Sequence, residues 1–389
     1  MKAAVLKNWL DLELCDIPMP VPNENEALIK VRLAGVCGSD ITVYRGKHMT
    51  ATVPTVLSHE ILGEIVTLPE GYAGPFKVGQ RVLMNPIISC GECAACKAGL
   101  THVCENLKLL GIHVDGGFAE YTKVGVDKLV ALDEDIPDDV AILGEPFAVG
   151  YHVMQRSQIQ PGDKIFISGG ATVGLYIAIF ARAWGAGRVI ISEINEPRRK
   201  FVESMGIETI NPSETDAMDL MREVTGGAGF DVVYDTSGAA SCVLQMPDLC
   251  RCGGKMLSLG LSGDPYQFII GKVSFKEITL IGNRLYSQED FEKGVRFVED
   301  NWKELHLDRM VTDRLTPEDY IAFPEEGMQE GAPVVKYDLN SEMDFYSGGM
   351  DYPEEGGFPE VEGQPGDDYE IEGGYPAEDA APEAPVEGG

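Results

Sequence analysis

Long apolar runs are missing from this sequence. None reaches the roughly 18–20 residues of a membrane span. The best candidate, Ala171–Trp184, is interrupted by Gly174 and Arg182. The first residues, Met1-Lys2-Ala3-Ala4-Val5-Leu6, turn polar too soon for an export signal. A soluble, cytoplasmic protein with no membrane partner is expected. Positive charge is scarce as well: 31 Lys and Arg against 63 Asp and Glu give a net charge of −32. Such a chain repels phosphate backbones, so no nucleic-acid partner is expected. Residues 341–389 hold fifteen Asp or Glu and no Lys, Arg or His, which leaves −17 on residues 1–340. What is present is 44% hydrophobic content over 389 residues, enough for two domains with a sizeable core.

Four of the nine cysteines fall in one short stretch: Cys90, Cys93, Cys96 and Cys104, spaced C-x2-C-x2-C-x7-C. Four thiolates can close the tetrahedral shell of one zinc, leaving no open position, so this site reads as structural. Two disulfides are the competing reading, and nothing secretory in the chain favours them. A looser set of zinc-type ligands surrounds the stretch: Cys37, His59, Glu60 and Glu145. Cys250-Arg251-Cys252 reads as a pair of buried thiols on an apolar segment.

Up to about residue 135 the chain alternates short strands with glycine-rich turns: Lys2–Leu6, Leu12–Asp16, Glu26–Leu33, Glu64–Leu68 and Gly79–Met84. Gly35-Val36-Cys37-Gly38-Ser39-Asp40 reads as a turn carrying a thiol. The character then changes. A helix is expected over Pro137–Gln158, and after it strands and helices alternate from Lys164 to Gly282. That alternation predicts an α/β fold with a doubly wound parallel sheet. Residues 286–340 are too few for a domain and are expected to return to the first one.

Gly169-Gly170-Ala171-Thr172-Val173-Gly174 lies between the apolar strand Lys164–Ser168 and a helix. This is the place of a G-x-G-x-x-G turn, in which a pyrophosphate sits on the helix N-terminus. Gly169, Ala171 and Gly174 occupy the three fingerprint positions, with Ala171 putting a methyl where a second glycine is usual. Glu193 ends the next strand, where an acid can hold the ribose hydroxyls and repel a 2′-phosphate, which favours NAD over NADP. Arg198 and Arg199 lie just beyond; Arg198 is expected at the cofactor, and the pair leaves NADP open.

Cys37, His59 and either glutamate could make a catalytic zinc, with three protein ligands and one exchangeable position. Such an ion lowers the pKa of a bound alcohol. Ser39, two residues after Cys37, could carry the proton away. A core cysteine and a core histidine without metal are the plain alternative.

These motifs together resemble the zinc-dependent medium-chain alcohol dehydrogenases, in the branch of sorbitol, threonine and butanediol dehydrogenases. The resemblance covers about residues 1–340. It rests on Gly35–Asp40, Pro54–Glu60, the four-cysteine loop, Gly116–Tyr121, Gly144-Glu145-Pro146 and the nucleotide turn. It implies zinc ligands at Cys37 and His59, with a third from Glu60 or Glu145. It also implies a GroES-like, mostly β catalytic domain over 1–147 and 285–340, and a Rossmann NAD-binding domain over 148–284. Glutamate at 145, where many alcohol dehydrogenases have cysteine, points to the polyol branch. The family usually has glycine where Ser58 stands, and often a relay histidine where Thr42 stands; His48 or water would then release the proton.

The expected function is zinc-dependent transfer of a hydride from a secondary alcohol, a polyol or sugar derivative, to NAD. An amino alcohol such as threonine is the alternative substrate, and a non-catalytic nucleotide-binding scaffold the alternative class. Two zincs per subunit, NAD, a small-molecule alcohol and a dimer or tetramer of identical chains are expected. Tyr44, Arg45, Phe118 and Arg284 are candidates to line the pocket. The tail, 341–389, carries Phe345, Tyr346, Tyr352, Phe358, Tyr369 and Tyr375. It is expected to be disordered, or extended along a subunit or a binding partner, and to supply no catalytic group.

Overall fold

The computed structural model describes residues 1–260, 268–311, 313–326, 335–338 and 346–347. The expectations for the acidic tail therefore lie outside the described residues, Tyr346–Ser347 excepted.

The chain opens with β1 (Lys2–Asn8), β2 (Asp11–Asp16) and β3 (Glu26–Val36), followed by the short helix α1 (Gly38–Tyr44). Strands β4 (Thr55–Val56), β5 (Glu60–Thr67), β6 (Arg81–Met84) and β7 (Ile87–Ile88) come next. One helical turn, α2 (Ala94–Lys97), lies inside the cysteine loop, and β8 (Lys108–Leu109), β9 (Tyr121–Gly125) and β10 (Leu129–Ala131) complete this part. In β3 buried and more exposed side chains alternate at its start, as a sheet with one buried face requires. β3 is central to the larger antiparallel sheet, pairing with both β5 and β9. The turn expected at Gly35–Asp40 is in fact the entry to α1, because Asp40 can cap it from the third helical position.

The single helix expected over 137–158 is two, α3 (Asp138–Ala141) and α4 (Gly144–Ser157). Pro146 has no N–H to continue a helix from α3 and is tolerated only in the first turn of a new one. Gln158 then ends α4 in the left-handed region, at φ +48°.

A parallel sheet follows: β11 (Lys164–Ser168), α5 (Thr172–Ala183), β12 (Arg188–Ser192), α6 (Glu196–Ser204), β13 (Glu208–Ile210) and α7 (Ala217–Thr225). The second half is β14 (Phe230–Asp235), α8 (Ala240–Leu249), β15 (Cys250–Ser258), α9 (Ile270–Phe275) and β16 (Thr279–Gly282). Its spatial order is β13-β12-β11-β14-β15-β16, so the order reverses between β11 and β14. Ligands bind at the carboxyl ends of the strands at such a reversal. β11 and β12 are buried on both faces, which explains their unbroken apolar runs.

Cys252 is exposed, unlike Cys250. The register slips between Phe230↔Cys250 and Val232↔Lys255, and this bulge ejects Arg251–Gly254 from the ladder. The expectation of two buried thiols is therefore half corrected.

Helix α10 (Gln288–Asn301) returns the chain to the first sheet, which β17 (Asp313–Leu315) and, after α11 (Pro317–Glu326), β18 (Val335–Asp338) extend. Phe147 on α4 joins the two halves. Its ring packs on Tyr176 and Phe180 of α5 and on Phe297 of α10, with centroids 4.5, 5.6 and 6.0 Å away. Burying such a ring stabilises by about 2–3 kcal/mol, and here it also fixes the start of α4, where Glu145 sits.

Candidate active site and metal centres

Cys37 is the N-cap residue of α1, with extended backbone at φ −95° and ψ 153°. Asp40 Oδ2 accepts from the Cys37 N–H at 2.8 Å, and Asp40 Oδ1 accepts from the Ser58 N–H at 3.0 Å. One fully buried carboxylate thus ties the start of α1 to the segment carrying His59 and Glu60. Ser58 lies at φ +73°, a region that costs a non-glycine residue about 1–2 kcal/mol. Glycine would adopt it without strain. The Ser58 hydroxyl compensates by donating toward Gly35 O at 2.9 Å and Glu60 O at 3.2 Å. At Gly35 any side chain would collide with the Glu60 carboxylate, so bare backbone makes room for it.

The result is a convergence of Cys37, His59 and Glu60, with their ligand atoms within 4.8 Å of one another. His59 Nδ1 and Glu60 Oε2 are buried and lack hydrogen-bond partners among the described residues. Glu145 is equally buried but outside that set. The Tyr286 hydroxyl donates to its Oε1. Burial lifts Glu60 well above the usual carboxylate range, and the Cys37 and Glu145 charges lift it further. Burial also raises Glu145, against the pull of His59 and Tyr286. Burial would lower His59, yet Cys37, Asp40 and Glu145 together carry it well above its ordinary value. A half-buried thiol, a buried imidazole and two buried carboxylates can be satisfied by a cation among them, and N, O and S donors of this kind suit zinc.

Ser39 Oγ is 3.6 Å from Cys37 Sγ. Thr42 donates its hydroxyl to Gly38 O at 3.0 Å within α1. His48 is half-buried on the following loop.

Cys90, Cys93, Cys96 and Cys104 also bring their sulfurs within 4.8 Å of one another. Their separations include 3.4 Å for Cys90–Cys104 and 3.9 Å for Cys93–Cys104. A disulfide needs about 2.05 Å, and all nine cysteines are free. Backbone N–H groups point at the sulfurs: Cys93 N to Cys90, Cys96 N to Cys93, and both Cys90 N and Asn106 N to Cys104, at 3.3–3.5 Å. Donors from Glu92 and Cys93 bring Cys90 down to about 6. Burial pushes Cys96 up to about 12. Thiolate-favouring donors around four converging sulfurs fit a tetrahedral zinc.

At the parallel sheet, Gly169 has φ +100°, and a side chain at Gly174 would strike Gly169 O. Ala171 is the N-cap of α5 and offers no side-chain acceptor to its first N–H groups. A helix start of this kind favours an anion. Glu193 accepts from Gly170 N at 2.7 Å and from Asn195 N at 2.8 Å. Arg198 Nη1 lies 3.8 Å from Glu193 Oε2. Arg199 donates to Glu193 O and Ile194 O at 3.0 and 2.7 Å. The acid braces the turn, and Arg198 faces the acid.

Sequence reasoning missed Asp40, Tyr286 and Thr236. Asp40 had a signal, an acid three residues after the thiol at a helix start. Thr236 donates to Ser168 O and Gly169 O at 3.0 Å each, a contact only the sheet creates. His152 packs beneath α10 and the cysteine loop. Its Nδ1 is 2.8 Å from Asp290 Oδ2, and its ring lies 4.8 Å from that of His102.

Comparison with known proteins bears on the family and the fold. The family profile described as alcohol dehydrogenase GroES-like domain matches residues 23–134, and that described as zinc-binding dehydrogenase matches residues 172–300. L-galactonate-5-dehydrogenase of Escherichia coli (strain K12) is 35% identical over 76% of this chain and 86% of its own. Sorbitol dehydrogenase of Bacillus subtilis (strain 168) is 34% identical over 77% of this chain and 86% of its own. Among solved structures, a zinc-binding dehydrogenase from Sinorhizobium meliloti bound to NADP superposes with a TM-score of 0.78. It is 27% identical, covering 89% of this chain and 98% of that one. Among the described residues no helix is long and apolar enough to cross a membrane.

Proposed function

The chain belongs to the zinc-binding alcohol dehydrogenase family, and on that premise we propose that it oxidises a secondary alcohol of a polyol or sugar derivative to the ketone, passing the hydride to NAD. The observation that carries this reading is the Cys37–His59–Glu60 set, its histidine and glutamate buried with an orphaned polar atom each, in a chain that also holds a glycine-rich turn between a parallel strand and a helix.

Cys37, His59 and Glu60 would hold the catalytic zinc. A zinc ion there supplies a Lewis acid that lowers the pKa of a bound alcohol. Glu145, gripped by Tyr286, stands beside the set and adds negative charge without joining it. Ser39 carries the alcohol's proton away as a relay, its hydroxyl accepting that proton while passing its own on to water, since its hydroxyl neighbours Cys37 while that of Thr42 is engaged in α1. The Gly169–Gly174 turn takes the pyrophosphate at the N-terminus of α5. Glu193 disfavours a 2′-phosphate by its charge, which supports NAD over NADP.

The second zinc belongs to Cys90, Cys93, Cys96 and Cys104 and is structural. Nine free thiols fit a reducing, cytoplasmic compartment. Exposed Ile269, Ile270, Phe275 and Leu280 cluster at the β16 edge of the parallel sheet, Phe275 at 93% exposure, and support pairing with a second copy there.

A panel of polyols, aldonates and amino alcohols assayed with NAD and NADP, together with metal analysis, tests the reading. Turnover by the zinc-loaded protein is expected, and Cys37→Ala or His59→Ala should abolish it while NAD binding persists. Near-normal turnover in either variant contradicts the assignment.

A further inference from the structure

The peptide that joins Gly169 to Gly170 is gripped at both ends. Ser168, the last residue of β11, is in register with Ser192 of β12 on one side and with Asp235 of β14 on the other. The residues that follow, Gly169, Glu193 and Thr236, stand side by side at the carboxyl edge of the parallel sheet. The Thr236 hydroxyl donates to Gly169 O at 3.0 Å, and the Gly170 N–H donates to Glu193 Oε2 at 2.7 Å. One peptide unit thus has its oxygen held from β14 and its hydrogen held from β12. Thr236 and Glu193 are both buried.

This grip answers a weakness of the turn. A peptide flanked by two glycines rotates against little steric opposition, because neither residue has a Cβ to resist it. Gly169 already stands at φ +100°. Side chains cannot stiffen the turn from within: a Cβ at Gly169 would lie 2.6 Å from the Thr236 hydroxyl oxygen, and one at Gly170 would lie 3.0 Å from Glu193 Cβ. In the observed orientation Gly169 O is packed against Gly174, in the first turn of α5. Its partial negative charge is answered there by the Thr236 hydroxyl instead of facing an anion at the helix start. Reversing the peptide would turn that oxygen toward Glu193 and set acceptor against acceptor.

Thr236 is itself held. Asp235, wholly buried, accepts from Ser237 N at 3.1 Å, from Ser237 Oγ at 2.7 Å and from Gly238 N at 3.2 Å. Thr236 N donates to Ser168 O at 2.8 Å. The segment after β14 therefore presents the hydroxyl from a fixed backbone.

We propose that Thr236 is a positioning residue for the dinucleotide: its hydroxyl and the Glu193 carboxylate together fix the Gly169–Gly170 peptide, so that the turn is ready for a pyrophosphate before the cofactor arrives. The proposal rests on the dinucleotide part of the reading above and not on hydride transfer. Thr236 acts through the turn rather than on the reacting atoms.

The test uses the zinc-loaded full chain. Affinities for NADH, NADPH, ADP-ribose and adenosine are measured by calorimetry in the wild type, Thr236→Val and Thr236→Ser. Valine keeps the branched shape and removes the hydroxyl. It should weaken NADH and ADP-ribose by roughly tenfold and leave adenosine, which has no phosphate, unchanged. Thr236→Ser should recover most of the loss. A defect of packing alone would not single out the ligands that carry phosphate. Hydrogen exchange of the cofactor-free wild type, read by NMR, gives a second measure, and the Gly170 amide should be protected. Unchanged ADP-ribose affinity in Thr236→Val, an equal loss for adenosine, no recovery in Thr236→Ser, or a fast-exchanging Gly170 amide overturns the proposal. A wild type that binds neither NADH nor NADPH defeats the dinucleotide reading and this proposal with it. A Thr236-dependent affinity for NADH in a protein that oxidises no alcohol leaves the proposal standing and defeats the hydride-transfer reading alone.

Discussion

Asp40 is the side chain whose loss should most clearly separate metal-site geometry from metal-ligand chemistry. It does not belong to the converging set, yet it accepts from the N–H groups of Cys37 and Ser58 at 2.8 and 3.0 Å and is wholly buried. Asp40→Asn keeps the size of the side chain. One oxygen still accepts, but the new NH2 faces the other N–H. A charge-assisted bond is worth about 1.5–3 kcal/mol, and a buried donor left facing a donor costs about 1–3 kcal/mol. The two figures describe one event in overlapping terms, so they do not add. Removing a buried charge also recovers some desolvation, since burial is what lifts the Asp40 pKa. The expected net loss is therefore about 2 kcal/mol for Asn, and about 3–5 kcal/mol for Ala, which orphans both N–H groups and leaves a cavity. Because Asp40 sets the N-cap of α1 and the Ser58–Glu60 path together, zinc affinity should fall roughly 10- to 100-fold, as for other groups that orient ligands. Urea unfolding of zinc-loaded and zinc-stripped protein, with zinc transfer to a competing chelator, measures the two effects separately. Asp40→Asn with wild-type zinc retention and an unchanged unfolding midpoint would refute the claim that these two hydrogen bonds position Cys37 and His59.

Three further outcomes follow from other parts of the molecule. Cys93→Ser should reduce zinc by one equivalent and lower thermal stability before it alters turnover per folded subunit; full stability with one zinc missing contradicts a structural role for the cluster. Glu193→Ala removes the acceptor of the Gly170 and Asn195 N–H groups and frees Arg198, so the ratio of NAD to NADP affinity should fall, read by fluorescence titration with both cofactors; a wild type that already prefers NADP sinks this account. Asp290 is lowered below its usual value: burial opposes this, but bonds from His152 and Ser287 outweigh it. A depressed acid stabilises fully above its unfolded pKa near 3.8 and loses that contribution as pH falls through the lower folded value. The melting-temperature gap between wild type and Asp290→Asn should therefore close on acidification below about pH 4, and a gap that stays constant there would remove the linkage.

Much of the architecture was legible because local patterns carried it. Unbroken apolar runs at Lys164–Ser168 and Arg188–Ser192 mark strands buried on both faces, and both formed as read. The cysteine spacing needed no tertiary information, since its four sulfurs lie within fifteen residues and bend around one point. Local pattern failed where a single residue changed the outcome. Pro146 divided a helix that periodicity reads as continuous, and the β14–β15 bulge exposed a cysteine that composition reads as buried.

By itself the sequence determined the mostly β first part, the parallel sheet after it, the four-sulfur cluster and the Gly169–Gly174 turn, because each is written in neighbouring residues. Only the tertiary structure decided which glutamate joins Cys37 and His59. Glu60 enters the set over the bare backbone of Gly35, while Glu145, 85 positions further on, is drawn aside by Tyr286 from yet another segment. The reason is that a hydrogen bond depends on which distant segments the packing of α4 against α10 brings together, and no local pattern in the chain encodes that distance.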